Sequence, residues 1–234
     1  MPDKLKIKFH ALNDLIGATV PPPKPARFYM PEWFKGMPTV PKDGQRYKDG
    51  KTVENVKQCM PYADCFVSGY IQETWCDIQI SVNSDGSCEY YFANEPTIIS
   101  HREPMSEISN DYYRWEFLWK QPYGIETPKG WSSLITQPLN QIHLPFETMS
   151  GIVETDTFYQ LPFPNNVPFL LKKGFDGVIP AGTPMFQIIP FQRKEWEHEI
   201  CQHDEYANIT DLAKIRKYFR NGYKKVHWKR KVFV

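Results

Sequence analysis

The fold is decided between Gly130 and Arg193: G-W-S-S-L-I-T-Q-P-L-N-Q-I-H-L-P-F-E-T-M-S-G-I-V-E-T-D-T-F-Y (130–159), L-P-F-P-N-N-V-P-F-L-L (161–171) and G-F-D-G-V-I-P-A-G-T-P-M-F-Q-I-I-P-F-Q-R (174–193). Short runs of Ile, Val, Phe, Leu and Thr alternate here with Pro, Gly and Asn, the pattern of short strands joined by tight turns. Composition points the same way. In 234 residues there are 21 prolines and 15% aromatics, and these favour strand ends and strands respectively. The expected architecture is mainly β: a β-sandwich or jelly-roll-like single domain, with a Pro-aromatic N-terminal arm and a short C-terminal helix.

Working outward, T-W-C-D-I-Q-I-S-V (74–82) puts Cys76, Ile78, Ile80 and Val82 on one face, and S-C-E-Y-Y-F (87–92) returns after Asp85-Gly86, a hairpin turn pair. Tyr113, Trp115, Phe117 and Trp119 alternate along D-Y-Y-R-W-E-F-L-W-K (111–120). That stripe is either core or a stacking platform for bases or sugars. Lys4–Phe9 alternates basic and apolar residues, as an edge strand with Leu5, Ile7 and Phe9 turned inward.

Val20–Pro38 is too rich in proline for a continuous helix or central strand, yet Phe28, Tyr29, Met30, Trp33, Phe34 and Met37 are too apolar for a solvated linker. The expectation is an arm whose Phe28, Tyr29, Trp33 and Phe34 pack into a groove, with one helical turn opening at Pro31 and Glu32. Lys42–Lys51 reads as a polar turn and Thr52 as the cap of a short helix. Thr210 is expected to cap a helix carrying Leu212, Ile215 and Phe219 at helical spacing and stopping at Asn221-Gly222. The organisation that follows is an edge strand and turn (1–19), an arm and polar loop (20–51), a β-sandwich body (52–205) and a basic helix and tail (206–234).

Charge is nearly balanced, at +1, but unevenly placed. Ile209–Val234 holds nine basic residues against Asp211 alone, a net +8, which leaves about −7 on the remainder. Within that tail Lys217, Arg220, Lys224, Lys225, Lys229 and Arg230 are candidates for binding nucleic acid or a protein partner. The N-terminus lacks the apolar core of a secretory leader and no run is long enough to span a membrane, so a soluble, unexported protein without a membrane partner is expected. Five cysteines at irregular spacing, without a C-x-x-C pair, read as free and mostly buried thiols.

Motifs for chemistry are sparse. Glu154 and Asp156 would share one face of a strand, and such a pair serves either as a general base or cation site or as capping groups near a turn. His198 and His203, beside Glu199 and Asp204, match no metal-ligand spacing, and neither a nucleophile elbow nor a phosphate loop is present. No metal site and no cofactor is expected.

Two resemblances concern the same stretch. P-E-W-F-K-G-M-P (31–38), C-M-P-Y-A-D-C-F-V-S-G-Y-I (59–71), T-W-C-D-I-Q-I (74–80), G-I-E-T-P-K-G-W-S (124–132), L-P-F-E-T-M-S-G-I-V-E-T-D (144–156) and I-P-A-G-T-P-M-F-Q-I-I-P-F-Q-R (179–193) together resemble a family of T4-like tailed phages, many of marine or cyanobacterial hosts, that carries no assigned activity. This implies a phage gene and no reaction. S-S-L (132–134), G-I-V-E-T-D (151–156) and G-V-I-P-A-G-T-P-M-F-Q-I-I (177–189) are similar in order to segments of the trimeric dUTPases, which are jelly-roll-like.

That second resemblance would place Glu154 where the dUTPases activate water, Thr157 where they exclude ribose, and Gln187 in their last matching segment. It implies Mg as cofactor and a trimer. Trp131 replaces the phosphate-binding arginine, however, and the Gly-rich motif that closes over the triphosphate is missing. The expected function is therefore a phage-encoded, non-catalytic binding or structural protein, a homo-oligomer or a partner of other phage proteins, and a virion component. The alternatives are a dUTPase-like nucleotide hydrolase and a nucleic-acid-binding accessory protein.

Overall fold

Strand pairing in this chain is antiparallel throughout the described residues, as the short apolar runs and tight turns require. The computed structural model describes residues 5–39, 55–93, 95–102, 109–159, 165–201, 205–218 and 222–234. The expected polar turn at Lys42–Lys51 and the cap at Thr52 lie outside them. Two compact units are present: Met1–Tyr29 with Gly69–Arg193, and Met30–Ser68 with Lys194–Val234. The first carries every strand found among the described residues; the expected arm is shared between the two.

The first unit opens with β1 (Lys8–Ala11), helix α1 (Asp14–Thr19) and the two-residue β2 (Lys24–Pro25). A five-stranded sheet runs β11 (Gly151–Val153), β9 (Trp131–Thr136), β14 (Pro184–Gln192), β3 (Tyr70–Glu73), β2. A four-stranded sheet runs β10 (Phe146–Thr148), β12 (Asn165–Lys172), β7 (Tyr112–Gln121), β6 (Ile99–His101). The indole Nε1 of Trp119 donates to Thr148 Oγ1 at 3.2 Å, and that hydroxyl donates to the Met185 carbonyl at 2.7 Å, so one threonine joins β7, β10 and β14 across the two layers of the sandwich.

Between them lies the core: Phe117, Trp119, Phe146, Phe169 and Phe186 are all fully buried. Trp119 stacks on Phe169 at 3.9 Å and meets Phe146 edge-on at 5.0 Å, geometries that add to simple area burial. The aromatic stripe is thus core at Phe117 and Trp119, while Trp115 and Tyr113 are half-buried beyond it. Because Glu116 and Leu118 are buried too, β7 is covered on both faces, which its period-2 pattern alone did not predict.

The expected hairpin is present. β4 (Ile78–Val82) pairs β5 (Cys88–Phe92) through a turn in which Gly86 has φ +82°, and β13 (Gly177–Ile179) completes a three-stranded sheet. Gly69 enters β3 at φ +69°, where a Cβ would lie 2.0 Å from the Ile188 carbonyl oxygen, so no larger residue fits. The N-terminal strand begins later than expected. β1 starts at Lys8, pairs β8 (Tyr123–Glu126), and leaves Leu5 exposed, while Phe9 packs with Ile16, Val20 and Tyr123.

The second unit is helical: α2 (Glu32–Gly36), a 3₁₀ turn at Val56–Gln58, α3 (Met60–Cys65), α4 (Glu205–Arg216) and α5 (Gly222–Val226). Asn55 caps the 3₁₀ turn through its side chain, accepting the Lys57 N–H at 3.0 Å. α4 starts five residues before the expected cap, and Thr210 lies inside it. Pro31 stands one position earlier than expected, as the N-cap of α2. Among the described residues no helix is long and apolar enough to cross a membrane. All five cysteines are free thiols, but only Cys76 is buried; Cys59 and Cys201 are exposed, so the expectation of mostly buried thiols is corrected.

Candidate functional site

The carboxylate pair sits in a turn, not on a strand. β11 ends at Val153, and the Glu154 carbonyl then accepts the N–H groups of Thr157 at 3.1 Å and Phe158 at 2.8 Å. This turn breaks the two-residue periodicity that would have aligned the two acids. The Glu154 side chain is exposed, whereas the Asp156 carboxylate is buried and fully engaged. Arg193, just past the end of β14, donates both guanidinium arms to it, Nη1 to Oδ1 at 3.0 Å and Nη2 to Oδ2, and Gly130 N–H adds 2.8 Å to Oδ2.

The same Nη1 also reaches the Trp131 carbonyl at 3.0 Å and Ser132 Oγ at 2.9 Å. Behind the ion pair, Thr155 Oγ1 lies 2.7 Å from Thr127 Oγ1 and 3.0 Å from Ser133 Oγ, all buried. The result is a clasp that ties the 154–158 turn to the start of β9 and the end of β14. The Arg193 hydrogen bond, with help from Gly130, holds Asp156 below the usual carboxylate range, and Asp156 in return holds Arg193 above its ordinary value. An acid depressed in this way is unsuited to proton abstraction near neutral pH, for which a raised value is needed. Gln187 is likewise committed, since its Oε1 accepts the Leu139 N–H at 2.8 Å. Thr157 is exposed.

The arm residues divide between burial and exposure. Phe34 is 3% exposed, against Phe66 at 4.7 Å and Tyr62 at 5.9 Å, with the Lys57 ammonium 4.4 Å above its ring. Tyr29 is half-buried, its hydroxyl donating at 2.7 Å to Glu73, whose other oxygen takes Lys24 at 2.5 Å. Burial first, then the bond to Glu73, pushes that phenol above its usual range. Phe28 is 62% exposed and Trp33 39% exposed, so these two correct the expectation that all four pack inward. Arg27 covers the ring of Phe28 at 4.9 Å, which lets it tolerate water.

In the tail Lys217, Lys224, Lys225, Lys229 and Arg230 are exposed; Arg220 and Phe219 lie outside the described residues. Lys225 sits 4.5 Å from the centre of the Tyr218 ring, and Lys224 5.6 Å from that of Trp228. Among the described side chains of α4, Ile209 and Leu212 are exposed and Ile215 is half-buried, facing Gly222 so closely that a Cβ there would lie 2.5 Å from the Ile215 carbonyl oxygen.

An anchor that the sequence did not announce holds the chain's end. Trp228 Nε1 donates to both Asp64 oxygens at 3.0 Å, and Lys231 Nζ adds 2.7 Å to Oδ2. These partners are 164 and 167 residues apart, so no local pattern could have paired them.

No protein-family model matches this chain, and no curated protein is significantly similar to it.

Proposed function

We propose that this is a phage-encoded, non-catalytic binding protein that works through its surface as a structural component of the virion. The phage origin comes from the resemblance of the motifs between Pro31 and Arg193. The non-catalytic reading is supported above all by the engagement of Asp156: the acid best placed for catalysis is held in a clasp with Arg193, Gly130 and a shell of Ser and Thr hydroxyls, a structural use of that side chain. Mass spectrometry of purified virions of the encoding phage tests the proposal. The protein is expected at high copy; its absence from the particles overturns the virion reading.

A second reading, a nucleic-acid accessory protein, is favoured by one observation: exposed Lys225 and Lys224 stand over aromatic rings, placing charge and stacking surface side by side. Its signature would be an affinity for single-stranded DNA or RNA that falls steeply with salt.

A further inference from the structure

After β14 the chain passes through Lys194–Cys201, K-E-W-E-H-E-I-C, without helix, turn or bend, and every residue in it is exposed. Trp196 is 87% exposed and Ile200 92%. Laid out as a strand, this sequence puts Trp196, His198 and Ile200 on one face and Glu195, Glu197 and Glu199 on the other. This is the pattern of a half-buried strand, apolar on one side and charged on the other. Among the described residues, none of Lys194–Cys201 takes part in any strand ladder.

We infer that Lys194–Ile200 is an assembly strand that docks on a second copy of this chain, with its glutamate face against the basic tail of that copy at Lys224, Lys225, Lys229 and Arg230. The inference rests on the binding reading above and names its first partner. Charge complementarity selects that partner. Three glutamates at alternate positions make a line of negative charge, and the tail offers an exposed group of four cations. Within one molecule these charges do not meet: among the described residues the ion pairs of the second unit are Lys35–Glu32, Lys214–Asp211 and Lys231–Asp64. Trp196 and Ile200 supply what charge alone does not, an aromatic and a branched aliphatic anchor of the kind that dominates interface energies.

The experiment is analytical ultracentrifugation of the full chain across protein and salt concentration. The wild type is expected to self-associate, more weakly as salt rises. Glu195→Lys/Glu197→Lys/Glu199→Lys should weaken association at least about tenfold, and so should Lys224→Glu/Lys225→Glu/Lys229→Glu/Arg230→Glu, with unchanged far-ultraviolet circular dichroism in both. Mixing the two variants should restore a heterotypic complex, because their surfaces are again complementary. Trp196→Ala/Ile200→Ala should weaken association with little change in its salt dependence.

A wild type that stays monomeric to its solubility limit overturns the inference. So does self-association untouched by the glutamate reversals, or a failure of the mixed variants to recombine. Virion absence with intact, charge-swappable association would sink the virion reading and leave this inference standing.

Discussion

At the scale of single residues, Asp156 ties the pH response of the molecule to its fold. Its carboxyl is depressed by Arg193 and Gly130, so the stabilisation it gives is present above the unfolded value near 4 and is lost as pH falls through the lower folded value. Asp156→Asn should therefore melt below the wild type at neutral pH, and the difference should shrink as both are acidified below about pH 4. A constant difference across that range would show that the clasp owes nothing to ionisation. Glu154 carries the opposite expectation. Glu154→Gln should leave melting unchanged, as exposed positions do within about 0.5 kcal/mol. Neither protein should release pyrophosphate from dUTP with Mg; turnover that disappears in the variant would establish the hydrolase alternative.

At the scale of elements, the sequence was legible where a local rule had no competitor. Asp85-Gly86 demanded a positive φ, and β4 and β5 followed from it. It was less legible where tertiary contacts decide. The arm's apolar side chains could not be sorted into buried and exposed from their spacing, because the sorting depends on Tyr62 and Phe66, 28 and 32 residues beyond Phe34 in the sequence. α4 was misplaced for a related reason: among its described side chains Ile209 and Leu212 are exposed, so the periodicity that proposed it did not fix its start. Truncations separate the two classes. Phe34→Ala and Trp119→Ala should each cost about 3–5 kcal/mol in denaturant titrations, whereas Phe28→Ala should cost little. Equal losses at Phe28 and Phe34 would mean that the arm is held as a uniform strip.

At the scale of the whole chain, the described strands all lie in the first unit with α1, while α2 to α5 lie in the second, and this sets where stability resides. The first unit closes over stacked aromatics between two sheets. The second has the small Phe34, Tyr62 and Phe66 cluster, an exposed α4, and the Asp64 anchor. Its candidate binding residues were visible as a charge run, while its anchor was hidden because it joins distant positions. Removing Tyr223–Val234 discriminates the roles left to the tail. The deletion takes away Trp228 and Lys231, leaving the partly buried Asp64 carboxylate without the donors that compensate its desolvation. Amide hydrogen exchange in α3 should then accelerate, while that in β7 and β12, which sit in the core of the other unit, should keep its protection. If α3 exchanges as in the full-length protein and the truncated chain instead loses a salt-sensitive affinity for single-stranded DNA or RNA, the tail serves nucleic acid and its contact with Asp64 is incidental.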